Sequence, residues 1–220
     1  MLLMIDNLSK NIIDDIQGYQ FQHEPWTCWI TCIKNILTTM KKRHGNCPNP
    51  SITKLNKIVG AERGIIPSPA VVTASINEKI LKNTKFRLIE KINSNLNEVK
   101  QLLENTNDSP IIFSVASTDY FKEIGKKYKN QEVGYLIEGA SKMDHTLIVF
   151  DVSNDTIFFD PYMPHMRLFS RNSPEKAMFK LSNIIINRLW LNAYVPNWIM
   201  WLERQTSQTT LFTKFKKDKK

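Results

Sequence analysis

Cysteine is scarce in this 220-residue sequence, and long apolar runs are missing. Three cysteines, Cys28, Cys32 and Cys47, are a small and odd number for the disulfide framework of a secreted protein, and they predict free thiols in a reducing compartment. Without a run of about 18 apolar residues we expect no transmembrane segment. Asp6 interrupts the apolar N-terminus, so we also expect no signal peptide. The sequence thus predicts a cytoplasmic protein, with leaderless secretion as an effector as the alternative.

Glycine is scarce too, with seven residues, and no Gly/Ser-rich linker, internal repeat or low-complexity block interrupts the chain. With 42% hydrophobic residues the composition is that of a globular protein. A chain of this length buries a core without needing disulfides or a structural metal. We therefore predict one domain over residues 1–205, followed by a C-terminal tail over 206–220.

The formal net charge of +9 is concentrated near the C-terminus. From Arg204 to Lys220 the chain has six basic residues and one acidic residue, with Phe212 and Phe215 among them. A solvated, flexible end is the ordinary interpretation of such a tail. The alternative is weak contact with nucleic acid or an anionic membrane surface.

Hydrophobic periodicity divides the chain into a helical first half and a second half rich in strands. Helices are predicted over residues 26–40, 51–59, 70–81 and 95–104. Strands are predicted over 111–115, 145–152 and 156–160, with a polar turn at 153–155. A further helix is predicted over 176–189, and residues 190–201, with three tryptophans, form either a last strand and helix or an exposed interaction surface. This order of elements is typical of an α+β fold whose helices pack on an antiparallel sheet, with a site in the cleft between them.

Cys28 lies near the predicted start of the first of these helices. The positive end of a helix and a neighbouring imidazolium are the usual means of lowering the pKa of a cysteine thiol from about 8.5. A cysteine nucleophile further needs a side chain that orients the histidine and a donor that faces the oxyanion. The chain supplies these residue types in the segments Gln22-His23-Glu24-Pro25-Trp26-Thr27-Cys28-Trp29, Asp144-His145-Thr146-Leu147 and Phe158-Phe159-Asp160-Pro161.

These segments resemble papain-like cysteine peptidases, and the His145 strand, polar turn and Asp160-Pro161 look like the C39-like, bacteriocin-processing branch. The resemblance covers roughly residues 22–37 and 144–161. It implies a papain-like fold with Cys28 as nucleophile, His145 as general base and then acid, Asp160 as orienter and Gln22 as oxyanion donor. It also implies a thiol protease that acts on a peptide or protein substrate without a metal or organic cofactor.

Several alternatives stay open on the sequence alone. The same thioester chemistry serves transglutaminase-like acyl transfer or deamidation, and a non-catalytic protein could instead bind a partner through its basic tail and residues 190–201. A zinc ion could be held by Cys28, Cys32, His44 and Cys47. Asp144 is the second candidate for the carboxylate, although neighbouring strand residues point to opposite faces. His165 is the likeliest substitute base among the remaining histidines, His23, His44 and His165.

Overall fold

The computed structural model describes residues 8–22, 27–61, 67–105, 108–128, 144–162 and 174–205. Within these ranges the chain is an α+β protein with seven α-helices and one six-stranded antiparallel sheet. The helices are α1 (Lys10–Ile16), α2 (Cys28–His44), α3 (Ile52–Val59), α4 (Pro69–Ile76), α5 (Leu96–Glu104), α6 (Ser117–Tyr128) and α7 (Asn183–Leu191). The strands are β1 (Phe86–Lys91), β2 (Ile111–Ala116), β3 (Asp144–Asp151), β4 (Asp155–Phe159), β5 (Met178–Ser182) and β6 (Ile199–Arg204).

The 17-residue helix α2 is the central element of the fold. Every residue from Ile30 to Met40 is buried, including the polar side chains of Asn35 and Thr39. Because an amphipathic surface helix buries one stripe of its surface, burial on all faces means that protein surrounds α2. The helix packs against β3, which directs its N-terminal residue, Cys28, toward the beginning of that strand.

The strands are ordered β1-β6-β2-β3-β4-β5, so β2 and β3 lie at the centre of the sheet. On the face opposite α2, helix α7 covers β2, where Trp190 stacks on Phe113 with the ring centroids 4.5 Å apart. Both side chains are fully buried. The apolar core therefore extends over both faces of the sheet, which holds the central strands in place.

The hairpin of β3 and β4 contains a bulge. Ile148 pairs with Phe159 and Val149 with Phe158, but the next pair is Asp151 with Ile157, so Phe150 is an extra residue in β3. A bulge of this kind bends the strand and changes the register of the pairing. The predicted strands and their turn are confirmed here, with the bulge as an addition.

Most predicted elements are confirmed, and two parts of the prediction are corrected. The region 176–189 is not one helix, because a 3-10 turn (Pro174–Ala177) and β5 precede α7. Within residues 190–201 the three tryptophans do not form an exposed surface, since Trp190, Trp198 and Trp201 are 0%, 6% and 9% exposed, whereas Leu191 and Tyr194 are 55% and 87% exposed. The mainly helical first half is confirmed, with strand β1 as an addition that pairs with β6 at the edge of the sheet.

The basic tail, predicted over residues 206–220, lies outside the described residues. In the described part of the chain, none of the helices combines the length and the apolar character that crossing a membrane requires.

Candidate active site

Cys28 is the first residue of α2, and its side chain is buried, with 5% of the residue exposed. The N–H groups in the first turn of a helix have no carbonyl partner within that helix, and together they form the positive end of the helix dipole. Both effects favour a negative charge at the beginning of α2. The predicted nucleophile therefore lies where the backbone stabilises a thiolate.

His145 is the second residue of β3, opposite Val115 of β2, and it is 4% exposed. Its Nε2 donates a hydrogen bond to Oδ1 of Asp160, and the two atoms are 2.8 Å apart. An imidazole has two nitrogens, so this bond leaves Nδ1 for an interaction with Cys28, whose pKa His145 lowers. The geometry thus connects the thiol, the imidazole and the carboxylate in series.

The charges of Cys28 and His145 stabilise each other. Burial raises the pKa of the Cys28 thiol. The hydrogen bonding and charge of His145, together with hydrogen bonds from Thr146, lower it by a larger amount, so the pKa lies below its ordinary value. Burial lowers the pKa of His145, but the charge and hydrogen bond of Asp160, and then Cys28, raise it above its ordinary value. Opposite shifts of this kind favour a thiolate and imidazolium pair at neutral pH.

Asp160 follows the last residue of β4 and is fully buried. Besides His145, its carboxylate accepts hydrogen bonds from the backbone N–H of Tyr162 at 2.8 Å and from the hydroxyl of Tyr120 at 2.6 Å. The backbone N–H of Asp160 donates to the carbonyl of Ala177. The backbone of Asp160 is therefore fixed by Ala177, and its carboxylate is held by three donors.

Gln22 is joined to this site through the backbone. Its N–H donates to the carbonyl of Pro161, the residue after Asp160, at 3.0 Å. Two residues earlier, the side chain of Asn35 in α2 accepts a hydrogen bond from the N–H of Gln20 at 2.8 Å and donates one to its carbonyl at 2.9 Å. The segment that carries Gln22 is thus fixed between α2 and the end of β4, and Gln22 is 1% exposed.

Thr146 is a contact of the thiol that the sequence did not reveal. Its Oγ1 lies 3.3 Å from Sγ of Cys28, and its carbonyl accepts a hydrogen bond from Sγ of Cys32 at 3.5 Å. Burial, and then the charges of Cys28 and Asp160, raise the pKa of Cys32 well above its ordinary value. The shift of Cys32 therefore favours its protonated thiol, whereas the shift of Cys28 favours the thiolate.

The alternative carboxylate, Asp144, has a different role. It accepts hydrogen bonds from the Ser114 hydroxyl at 3.0 Å and from the backbone N–H of Tyr194 at 2.8 Å. Since Asp144 and His145 are neighbours in β3, their side chains leave the strand on opposite faces. Asp144 therefore fixes the turn after α7, while Asp160 holds the imidazole.

The zinc alternative does not fit the fold. Cys28 and His44 lie at opposite ends of α2, and a helix with 16 steps of 1.5 Å separates them by about 24 Å. Among the described residues, no group of three or more His, Cys, Asp or Glu side chains is arranged to bind a metal ion. Burial raises the pKa of Cys47 to about 12, which disfavours the thiolate that zinc binds. His23 and His165 lie outside the described residues.

Aromatic side chains surround the imidazole and form the part of the site that sequence reasoning missed. The rings of Tyr120 and Phe121, both in α6, have centroids 5.3 Å from that of His145, and the ring of Tyr162 lies 6.1 Å away. An apolar surrounding of this kind keeps water from the ion pair and strengthens its electrostatic attraction. A lone tyrosine in an amphipathic segment carries no local signal of such a contact.

Comparison of the chain with models of protein families, with curated proteins and with solved structures finds no match.

Proposed function

We propose that this chain is a papain-like cysteine peptidase, similar to the C39-like branch, that cleaves a peptide or isopeptide bond through a thioester on Cys28. One observation carries the proposal. The thiol at the beginning of α2 lies close enough to His145 for the imidazole to lower its pKa, and Nε2 of His145 is held by the buried carboxylate of Asp160. This arrangement supplies an activated nucleophile and an oriented acid and base without a metal.

In the first half of the reaction the Cys28 thiolate attacks the carbonyl carbon of the substrate. The carbonyl π electrons move to oxygen, and this oxyanion accepts hydrogen bonds from the backbone N–H of Cys28 and the side-chain amide of Gln22. When the C–N bond breaks, His145 gives its Nδ1 proton to the departing amine. The products of this half are the free amine, a thioester on Cys28 and a neutral imidazole.

In the second half, water attacks the thioester. Neutral His145 takes a proton from the water through Nδ1, and the oxyanion again forms against the same two donors. Collapse of the tetrahedral intermediate breaks the C–S bond, releases the carboxylic acid and returns the thiolate and imidazolium pair. The bond from Nε2 to Asp160 keeps the ring in position through both proton transfers.

The proposal is tested by product analysis with a mixture of unfolded proteins and peptides. Mass spectrometry should find new amino termini after incubation with the parent protein and none after incubation with Cys28→Ala. Cys32→Ala is the matched control, because that cysteine lies one turn further along α2 and its raised pKa keeps it protonated. Added hydroxylamine should intercept the thioester and yield peptide hydroxamates.

The products also decide between the reaction classes. Conversion of glutamine to glutamate without chain cleavage would show deamidation, and new amine-linked products would show acyl transfer, and either result would replace hydrolysis in the proposal. If incubation with the parent yields no product that is absent after incubation with Cys28→Ala, Cys28 performs no thioester chemistry. A binding role then replaces the catalytic one.

Gln22→Ala is expected to lower kcat for peptide cleavage by about 100-fold, because one donor to the oxyanion is lost. KM should change little, since the oxyanion forms after binding. Alkylation of Cys28 by iodoacetamide has no oxyanion and should proceed at the parent rate. Gln20→Ala is the matched control, because Gln20 is an exposed glutamine in the same segment. Equal kcat in the parent and in Gln22→Ala would exclude Gln22 as the donor.

A further inference from the structure

The two oxygens of the Asp160 carboxylate are held from different sides. Oδ1 accepts hydrogen bonds from Nε2 of His145 and from the N–H of Tyr162, each at 2.8 Å. Oδ2 accepts a hydrogen bond from the Tyr120 hydroxyl at 2.6 Å. A carboxylate held through one oxygen can still turn about its Cβ–Cγ bond, so a donor on the second oxygen determines the plane of the group.

Tyr120 contacts both partners of the pair that Asp160 forms with His145. Its ring centroid lies 5.3 Å from that of His145 with an angle of 33° between the rings, and its edge contacts also include Phe121 and Phe158. Tyr120 and Asp160 are both fully buried. The packed ring leaves the hydroxyl no alternative position in water, so the bond to Oδ2 persists.

We propose that Tyr120 is a positioning residue of the thiol site, which fixes the plane of the Asp160 carboxylate so that Oδ1 faces the imidazole. The inference rests on the proposed function and adds a fourth member to the series of Cys28, His145 and Asp160. Tyr120 does not touch the reacting atoms and acts through Asp160.

This role has a consequence for the pH range in which the ion pair exists. The titratable groups that face the pair are Cys28 and Cys32 from α2, Tyr120 from α6, and Asp160 and Tyr162 at the end of β4. A carboxylate in the correct plane stabilises the imidazolium, which in turn stabilises the thiolate. Loss of this orientation should therefore raise the pKa of Cys28 and lower that of His145.

The test measures the alkylation rate of Cys28 by iodoacetamide from acidic to basic pH, followed by mass spectrometry. The parent should show two transitions, one where the thiolate and imidazolium pair forms and one at higher pH where His145 loses its proton. In Tyr120→Phe the first should move to higher pH and the second to lower pH, each by about one unit. Below the first transition the rate should therefore fall about tenfold.

Tyr19→Phe is the matched control for the loss of a buried hydroxyl. Tyr19 is 5% exposed, and its hydroxyl forms a buried hydrogen bond with Thr39 at 2.7 Å, away from the thiol. This variant should lose stability without moving either transition. A Tyr120→Phe protein with the parent transitions would overturn the positioning role and leave the proposed function intact. A parent without the two transitions would overturn both.

Two further measurements keep the inference testable if Tyr120→Phe does not fold. A 3-fluorotyrosine at position 120 keeps the ring and the hydrogen bond to Oδ2, so the plane of the carboxylate is kept and both transitions should stay at their parent pH. The same replacement at position 19 should move nothing. In an Asp160→Ala background, changing Tyr120 should have no additional effect on the rate, because the hydroxyl has no carboxylate to orient. Additive effects in the Asp160→Ala background, or displaced transitions in the 3-fluorotyrosine protein, would refute the role.

Discussion

At about pH 6.5, iodoacetamide is expected to alkylate Cys28 on the order of 100 times faster in the parent protein than in His145→Ala. The thiolate is the reacting form, and its fraction at a given pH depends on the pKa of Cys28. His145 is the main group that lowers this pKa against the effect of burial. Without the imidazole, burial dominates, and the pKa should rise to the ordinary range of about 8.5 or above it.

The sign of the pH dependence follows from the two opposite shifts. The lowered pKa of Cys28 means that alkylation in the parent begins at lower pH than for an ordinary thiol. The raised pKa of His145 means that the imidazolium persists above the range of an ordinary histidine, so the ion pair spans neutral pH. The rate in the parent should therefore be almost constant through neutrality, while in His145→Ala it should rise about tenfold with each pH unit.

Cys32 and Cys47 serve as controls within the same molecule. Burial raises the pKa of both thiols, and both are at most 3% exposed, so neither should react in the folded protein near pH 7. The measurement is mass spectrometry of the digested protein, which assigns each alkyl group to its cysteine. Equal reaction of the three cysteines would contradict the ion pair and with it the catalytic interpretation.

Asp160→Ala is expected to lower kcat/KM by about 10²–10⁴-fold, the usual contribution of a positioned acid and base. The substitution removes the hydrogen bond that orients His145 and the charge that raises its pKa. Asp160→Asn should be milder, because an amide oxygen still accepts from Nε2 while its NH₂ group faces the Tyr120 hydroxyl, which can accept. Steady-state kinetics on the peptide identified by product analysis would measure both effects.

Stability distinguishes the two variants further. In Asp160→Ala the buried Tyr120 hydroxyl loses its acceptor, at about 1–3 kcal/mol, and the half-buried Tyr162 loses the acceptor of its N–H as well. Urea unfolding should therefore show a lower free energy of unfolding for the alanine variant than for the asparagine variant. If asparagine impairs kcat/KM as much as alanine does, the charge of Asp160 matters and its orientation of the ring does not.

The members of the candidate site could be predicted from the sequence because each occurs in a short recognisable segment. Cys28 stands at the start of a helical pattern, and the strand, turn and strand between His145 and Asp160 bring those two residues together locally. The contacts of Tyr120 and Thr146 could not be predicted in this way. They depend on how α6 and α2 pack on opposite faces of β3, and no spacing along the chain encodes that packing.

The errors in the fold have physical reasons as well. The segment 178–191 consists of short apolar runs separated by five polar residues, and such short runs do not distinguish a buried strand from a helix by periodicity. The real boundary had a local signal, since the Ser182 hydroxyl accepts from the N–H of Ile185 as the N-cap of α7. Strand β1 alternates apolar and charged residues only over its first three positions, and its structure depends on pairing with β6, more than 100 residues away.

The extra residue in β3, Phe150, determines on which face of the sheet the Asp160 side chain lies. Beyond the bulge the pairing of Ile148 with Phe159 places Asp160 opposite Leu147, and so on the same face of the sheet as His145. Had the pairing of Asp151 with Ile157 continued unbroken, Asp160 would stand opposite Ile148 and point away from the imidazole, because a slip of one residue exchanges the two faces. The one-residue bulge in the hairpin thus shifts the register so that Asp160 and His145 lie on the same face, and the proposed chemistry depends on that shift.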